Sequence, residues 1–495
     1  MKVASGKSRA RSHNARKEGC MSSLTSEQKL VSSTQNKKKI KFDAFVIIFL
    51  VIVFSYCLTL LVPSGEFDRQ TVSGITTVVA NSFHSTTKQY LGIQSIFQAI
   101  PQGLTASASM MFVVLMVGGC VEVYQRTHAI DRLVNALLAQ ADRIGSQAIL
   151  MLIMAMFGCL GGFLGWNEQI VPFIPIVISL CLAMGYDSMT GLACSAMIDM
   201  ISFSVSPSSV YTVGISDEVA QLPMFSGFGF RLILLIIFNV IMQIYVLRYA
   251  NKVKKNPEKS VVKGLDDSAF RNLEMSSEAM TLRQKISLLV FLGTFIASII
   301  GVSSMGWSLN DLAGAFLFAG IAGGAINSMN INEIIAAFIA GAKNALGPAL
   351  IIGLARGIQC ILTMGAIIDP IINAISKPLA LLGSTTTPIA VMFIITLFNG
   401  LITSGSAKAT ALMPILIPLA DLVGMTRQTM ILAFQFGDGL TNCLWFTSST
   451  LLMFLTVSKI PLSAWYKFIT KLMIILFVVS IAALIVAVKI NYGPF

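Results

Sequence analysis

Residues 161–209 read GGFLGWNEQIVPFIPIVISLCLAMGYDSMTGLACSAMIDMISFSVSPSS, and residues 400–448 read GLITSGSAKATALMPILIPLADLVGMTRQTMILAFQFGDGLTNCLWFTS. Laid over one another without a gap, at an offset of 239 (400 − 161), the two agree at nine of 49 positions. Gly161 meets Gly400, Pro175 meets Pro414, Ile176 meets Ile415, Ile178 meets Ile417 and Leu180 meets Leu419. Gly185 meets Gly424, Thr190 meets Thr429, Asp199 meets Asp438 and Ser209 meets Ser448. Apolar composition alone would match some of these, so the Gly, Pro and Asp pairs carry the argument. Upstream the match continues at an offset of 238: Gly103 with Gly341, Ile130-Asp131 with Ile368-Asp369, and Asn135-Ala136 with Asn373-Ala374. Each copy is an apolar segment broken by Gly and polar residues. Membrane proteins built from two such halves place a solute site between them.

Composition sets the class. Of 495 residues, 55% are hydrophobic and 12% charged, and the mean hydropathy is +0.78. Apolar runs near the roughly 20 residues that span a bilayer occur at Phe42–Val62, Ala106–Val123, Phe230–Leu247, Ile286–Val302, Leu312–Ile326, Pro348–Ile368 and Phe468–Val488. Alternating barrel strands are missing, and lipid admits only helices or closed barrels. An all-α polytopic membrane protein follows.

The +12 charge is distributed by topology. Met1–Lys41 carries 11 Lys or Arg and Arg248–Lys285 nine, 20 of the 35 in the chain. Pro63–Pro101 has only Arg69 and Lys88. Basic loops stay in the cytoplasm, so the N-terminus and the 249–285 linker are expected inside, in the cytoplasmic (inner) membrane of a bacterium. Residues 1–41 read as a disordered basic tail, with Met21 an alternative start. Seven cysteines lie in apolar segments and no CxxC occurs, so neither a disulfide framework nor a metal cluster is expected.

From these constraints the order is 42–95, first span and extracytoplasmic loop; 96–248, first transport repeat; 286–333, two scaffold-type spans; and 334–490, second transport repeat in inverted sense. Thr127–Gln140 reads as an interfacial helix and Gln147–Met184 as a re-entrant hairpin, with arms of about 16 residues reaching roughly 24 Å. Ser188–Ile215 crosses next. In the second half Asn332–Ala345 reads as amphipathic, Pro348–Ile368 as a span, Pro370–Leu381 as interfacial, Pro388–Leu422 as the second hairpin and Thr426–Val457 as a crossing.

Solute and ion ligands are expected at the hairpin tips and at the breaks in the helices that follow. Unwound backbone offers carbonyls to a cation and amides to an anion. The candidates are Asn167 and Glu168 at the first tip and Asp199, Ser206 and Ser208 in the first broken helix. In the second half they are Ser404, Ser406 and Lys408 at the tip, then Asp438, Thr441, Asn442 and Thr447. Hydroxyls in apolar helices often bond only their own backbone. Charges at membrane depth are costly and default to function, which singles out Glu168, Asp438 and Lys408. Asp199 could instead cap a helix, and Arg356 could face the same cavity or snorkel to the interface. No metal site is firm; sodium at the hairpin tips and a proton are the candidate coupling ions, and no cofactor is implied.

These residues resemble the YfcC-like branch of the anaerobic C4-dicarboxylate carrier (DcuC-type) family, within the ion-transporter superfamily, across most of Lys41–Pro494. The resemblance is carried by Val62-Pro63-Ser64-Gly65-Glu66-Phe67-Asp68-Arg69, Glu168-Gln169-Ile170-Val171-Pro172-Phe173 and Ser404-Gly405-Ser406. It continues through Met413-Pro414, Pro418–Gly424, Arg427-Gln428 and Gln435–Asn442. It implies a secondary transporter of C4-dicarboxylates, short-chain organic acids or amino acids, with arginine/ornithine-type exchange as the alternative. Two re-entrant hairpins and a homodimer are also implied. The sequence departs from the pattern at Lys408, where an uncharged Gln is usual, at Gln169, where a second Glu is common, and at Trp445-Phe446-Thr447, where a Pro usually precedes the Thr. A channel and a membrane-embedded enzyme are the remaining classes. No HExxH and no GxxxxGK[ST] occurs, so neither zinc hydrolysis nor direct ATP coupling is expected.

Overall fold

The computed structural model describes residues 44–493, except 73–74, 80–81, 272–279, 306 and 380. The expected basic tail lies outside the described residues. The described residues are nearly all helix. Two short antiparallel strand pairs, Gly65–Glu66 with His84–Ser85 and Arg69–Val72 with Ile75–Val78, fold the loop after the first span.

Among the described residues, seven helices are long and apolar enough to cross a bilayer: Ala108–Arg126, Ser146–Phe163, Phe228–Lys255, Leu309–Ile326, Ile331–Met364, Gly405–Val423 and Leu462–Lys489. The shorter apolar pieces include Ala44–Leu61, Glu168–Ala183, Ser188–Phe203, Thr386–Asn399 and Ser449–Ser458. Apart from the first span, Ala44–Leu61, the short ones supply one arm of each hairpin and one half of each broken helix. The protein is a multi-pass membrane protein.

Local signals fix where helices start. Leu282–Ser304, Leu309–Ile326 and Ile331–Met364 each open on a capping box, Thr281/Gln284, Ser308/Asp311 and Asn330/Glu333. Each box satisfies two amides that the first turn would leave unpaired. Gln284 also donates to the Thr127 carbonyl at 2.8 Å and accepts from Arg132 at 2.7 Å. This ties the Leu282–Ser304 helix to the Ala129–Ile144 helix.

One boundary differs from the sequence reading. Asn332–Ala345 and Pro348–Ile368 are a single 34-residue helix, Ile331–Met364. Pro348 lies inside it, because a proline removes one hydrogen bond without ending a helix that its neighbours hold straight. The counterpart in the first half is divided at Ser107 into Gln94–Ala106 and Ala108–Arg126. These helices pack against Ile331–Met364 in antiparallel register. A Cβ on Gly103 would meet the backbone of Gly353 and Gly357, and one on Gly341 would meet the Gly118 carbonyl.

Matched positions of the two halves share backbone devices. Gly185 and Gly424 both sit in the left-handed region, at φ +83° and +70°. His128 and Ala366, 238 apart, do the same at +56° and +51°. Asp187 caps the Ser188 helix by accepting the Thr190 N–H at 2.9 Å, and Thr426 caps the Arg427 helix by accepting the Thr429 N–H at 3.3 Å. Asp187 and Thr426 are 239 apart, so the Thr190/Thr429 identity is a pair of equivalent first turns.

Ser146–Cys159 runs in, continues as a wider π turn over Leu160–Leu164, and ends at Gly165, φ +66°. The chain returns through a 3-10 turn, Glu168–Phe173, and the Ile174–Ala183 helix. The Ser146 hydroxyl lies 2.8 Å from the Tyr186 hydroxyl, so both ends of this excursion are on one side. The second excursion is Thr386–Asn399 and Gly405–Val423. Both crossings that follow are broken, at 204–209 and at 442–448. The two broken helices touch where a Cβ on Gly439 would collide with the Ser204 backbone.

Candidate functional site

A cavity of about 290 Å3 lies where the two tips meet the second break. It takes Gly165, Asn167, Glu168 and Gln169 from the first tip and Thr403, Ser404, Gly405 and Ser406 from the second. Asp438, Asn442, Ser448, Ser449 and Thr450 come from the second broken helix. The long Ile331–Met364 helix contributes Arg356. Its volume is near the lower end, roughly 300 Å3, of small-molecule sites. The charged residues lining it are Glu168, Asp438 and Arg356.

Glu168 opens the 3-10 turn, and its Oε1 accepts the Thr450 hydroxyl at 2.8 Å. The first tip is thereby bonded to the helix after the second break. Gln169 folds back so that its Oε1 accepts the Asn167 N–H at 3.0 Å. Asn167 is buried, and its Oδ1 has no partner among the described residues. At the second tip Ser404 caps the Gly405 helix by accepting the Ala407 N–H at 3.4 Å, and its hydroxyl lies 3.4 Å from that of Ser406. Ser448 caps the Ser449 helix in the same way through Leu451. Two helix N-termini therefore begin at the cavity wall, and their free amides favour an anionic group.

Lys408 lies one turn into the second arm and does not line this cavity. Its ammonium pairs with Asp438 Oδ1 at 2.6 Å, both side chains being fully buried, and donates to Asn399 Oδ1. The Asn399 amide nitrogen in turn donates to the Asp438 carbonyl, the Thr441 hydroxyl and Asn442 Oδ1, each at 2.9 Å. Thr441 thus serves this network. Thr447 donates to the Gly400 carbonyl at 2.8 Å and closes the hairpin onto the break.

Three candidates from the first broken helix also lie away from the cavity. Ser208 donates to the Phe163 carbonyl at 2.9 Å, and the Ser206 hydroxyl accepts the Ser208 N–H at 3.3 Å. Asp199 is within the Ile198–Phe203 helix, so it does not cap. It is fully buried, and neither carboxylate oxygen has a hydrogen-bond partner among the described residues.

The sequence reading missed Arg231. It is fully buried, donates from Nε to Gln435 Oε1 at 3.0 Å and stacks over Tyr492. Gln435 donates to the Ser206 carbonyl at 2.7 Å, so the chain Arg231–Gln435–Ser206 holds the first break open. The available signal was a lone arginine at the start of an apolar run, which the span Phe230–Leu247 absorbed.

Two further cavities flank the central one. One of about 560 Å3 is lined by Glu122, Arg126, Asp131, Val171 and Pro172 among others. The other, about 400 Å3, is lined by Arg69, Asp369, Ala407 and Lys408 among others. Residues 167–169 line the central cavity and 171–172 the first flanking one; residues 403–406 line the centre and 407–408 the second. Neighbouring residues of each tip thus line different cavities.

A polar chamber enclosed by two hairpins inside a multi-pass membrane protein defines a membrane transporter. The model of the C4-dicarboxylate anaerobic carrier family, DcuC, matches residues 43–489, and the chain belongs to that family. It is 30% identical, over 91% of this chain and 97% of the other, to YfcC of Escherichia coli (strain K12), which is named as a candidate basic amino acid antiporter. It is 24% identical to a Haemophilus influenzae protein of no assigned function, over 93% and 99% of the two chains. Among solved structures, the Alcanivorax borkumensis YdaH transporter is 14% identical and covers 92% of this chain and 100% of its own, with a TM-score of 0.45.

Proposed function

We propose that the protein is a secondary active transporter of a small charged organic solute, with an amino acid bearing both an ammonium and a carboxylate as the preferred class. The observation that carries this is the charge pattern of the central cavity. Asp438 is neutralised by Lys408. Glu168 and Arg356 remain, one acidic and one basic. A solute ammonium would meet Glu168, and its carboxylate would meet Arg356 and the helix N-termini behind Ser404 and Ser448. A C4-dicarboxylate has no group for Glu168 and would bring two charges that repel it. The name of the Escherichia coli relative supports basic amino acid exchange as the particular form.

The two halves form an inverted repeat in this reading. Supporting it are the antiparallel packing of Gly103–Gly118 against Gly341–Gly357, the shared φ values and the equivalent caps. The hairpins act as alternating gates, since each separates the centre from one flanking cavity. The 249–285 linker faces the cytoplasm, by its basic charge.

Counterflow into liposomes tests the proposal. With purified protein, labelled arginine should accumulate when unlabelled arginine or ornithine is preloaded, with saturation. Accumulation of labelled succinate but not of any amino acid would overturn the amino acid assignment. Unsaturable flux without counterflow would make the protein a channel.

A further inference from the structure

We propose that the Lys408 ammonium is a resident cation: it occupies a monovalent-cation position at the second hairpin tip, where it takes the place of a bound metal ion. The inference goes beyond the solute reading above and does not depend on it. The two named partners of the ammonium are oxygens, the Asp438 carboxylate and the Asn399 side-chain carbonyl. Asn399 is held in that orientation by its two amide hydrogens, shared among three acceptors, so the oxygens are fixed before any cation arrives.

A purely structural ion pair explains the placement poorly. Lys408 is the fourth residue of the Gly405–Val423 helix, and a cation near a helix N-terminus opposes the helix dipole. Burial of both charges costs several kcal/mol per ion before their attraction is counted. The matched half lacks the pair: Gln169 stands where Lys408 stands (408 − 239), and Asp199, the mate of Asp438, has no partner among the described residues. The lysine is therefore not a requirement of the hairpin fold. The pair also spans two neighbouring cavities, so the position is reachable by a small ion. Asp438 borders the central cavity while Lys408 borders the 400 Å3 cavity beside it. Shortening Lys408 leaves an oxygen-lined space next to that cavity, with a bare carboxylate in it.

The test reads the melting temperature of the full-length purified protein, without solute, in sodium chloride and in choline chloride at equal ionic strength. Lys408→Ala should melt lower than wild type in choline and recover in sodium by at least about 2 °C more than wild type does. Lys408→Ala combined with Asp438→Asn should lose that gain. Lys408→Gln, which keeps a polar side chain at the position, is the second variant. A sodium response in both single variants no larger than that of wild type would overturn the proposal. So would failure of both to fold in either salt, which would make the pair a structural bolt. Retention of the gain in the double variant would also overturn it, since the sodium would then not be using Asp438.

Discussion

Glu168 and Arg356 are the residues on which solute class turns. Glu168→Gln keeps the size and can still accept from Thr450, so the fold should survive. Affinity for arginine should fall at least tenfold, about 1.4 kcal/mol, measured by binding to the purified protein; unchanged affinity would remove Glu168 from the solute's ammonium. Arg231→Met should behave differently. It leaves Gln435 Oε1 buried without its donor, at about 1–3 kcal/mol, so the melting temperature should fall and then transport through the slackened Ser206 break. A variant with wild-type melting temperature would contradict the strut role. The sequence announced Glu168, Lys408 and Asp438, because a charge in an apolar run is visible without a structure. It could not say which of them share a chamber: Lys408 is one turn past the tip, and the helical phase of a tip depends on where its cap, Ser404, stops the loop. Asp199 was legible as an acid at depth, but its missing partner is a three-dimensional fact.

Elements meet through close backbone approaches that small residues permit. Gly341→Val should push the Ile331–Met364 helix off the Gly118 carbonyl and cost about 1–3 kcal/mol or more, seen as a lower melting temperature in detergent. An unchanged melting temperature would mean that Gly341 does not hold this crossing. The strand pair Gly65–Glu66 with His84–Ser85 offers a pH test. His84 is held above its ordinary value of 6.5 by the Ser82 carbonyl first and then by Asp68 and Glu66. A raised histidine contributes below its unfolded pKa, and the contribution fades as pH rises through the folded one. Amide exchange in these strands, corrected for intrinsic rate, should therefore be faster at about pH 8.5 than at about pH 6, and His84→Gln should remove the difference. Helix ends and hairpins were readable from caps, Gly and Pro. The fusion of Asn332–Ala345 with Pro348–Ile368 was not, because neighbours hold a proline-containing helix together and neighbours are not in the local sequence.

At the scale of the molecule, the 239-residue offset is the most informative line in the sequence, and its matched positions carry equivalent caps and left-handed residues. Offset alone did not reveal how the halves interlock, since Glu168 reaches Thr450 and Arg231 reaches Gln435 across the repeat boundary. The central claim is that one solute touches both tips at once. Thiol protection tests it most directly. In a background lacking the native cysteines, Asn167→Cys and Ser406→Cys are each labelled with a small maleimide, with and without saturating arginine. The account predicts that arginine slows labelling at both positions over the same concentration range, and that succinate does so at neither. Protection at one tip only, or at neither, would contradict a shared chamber.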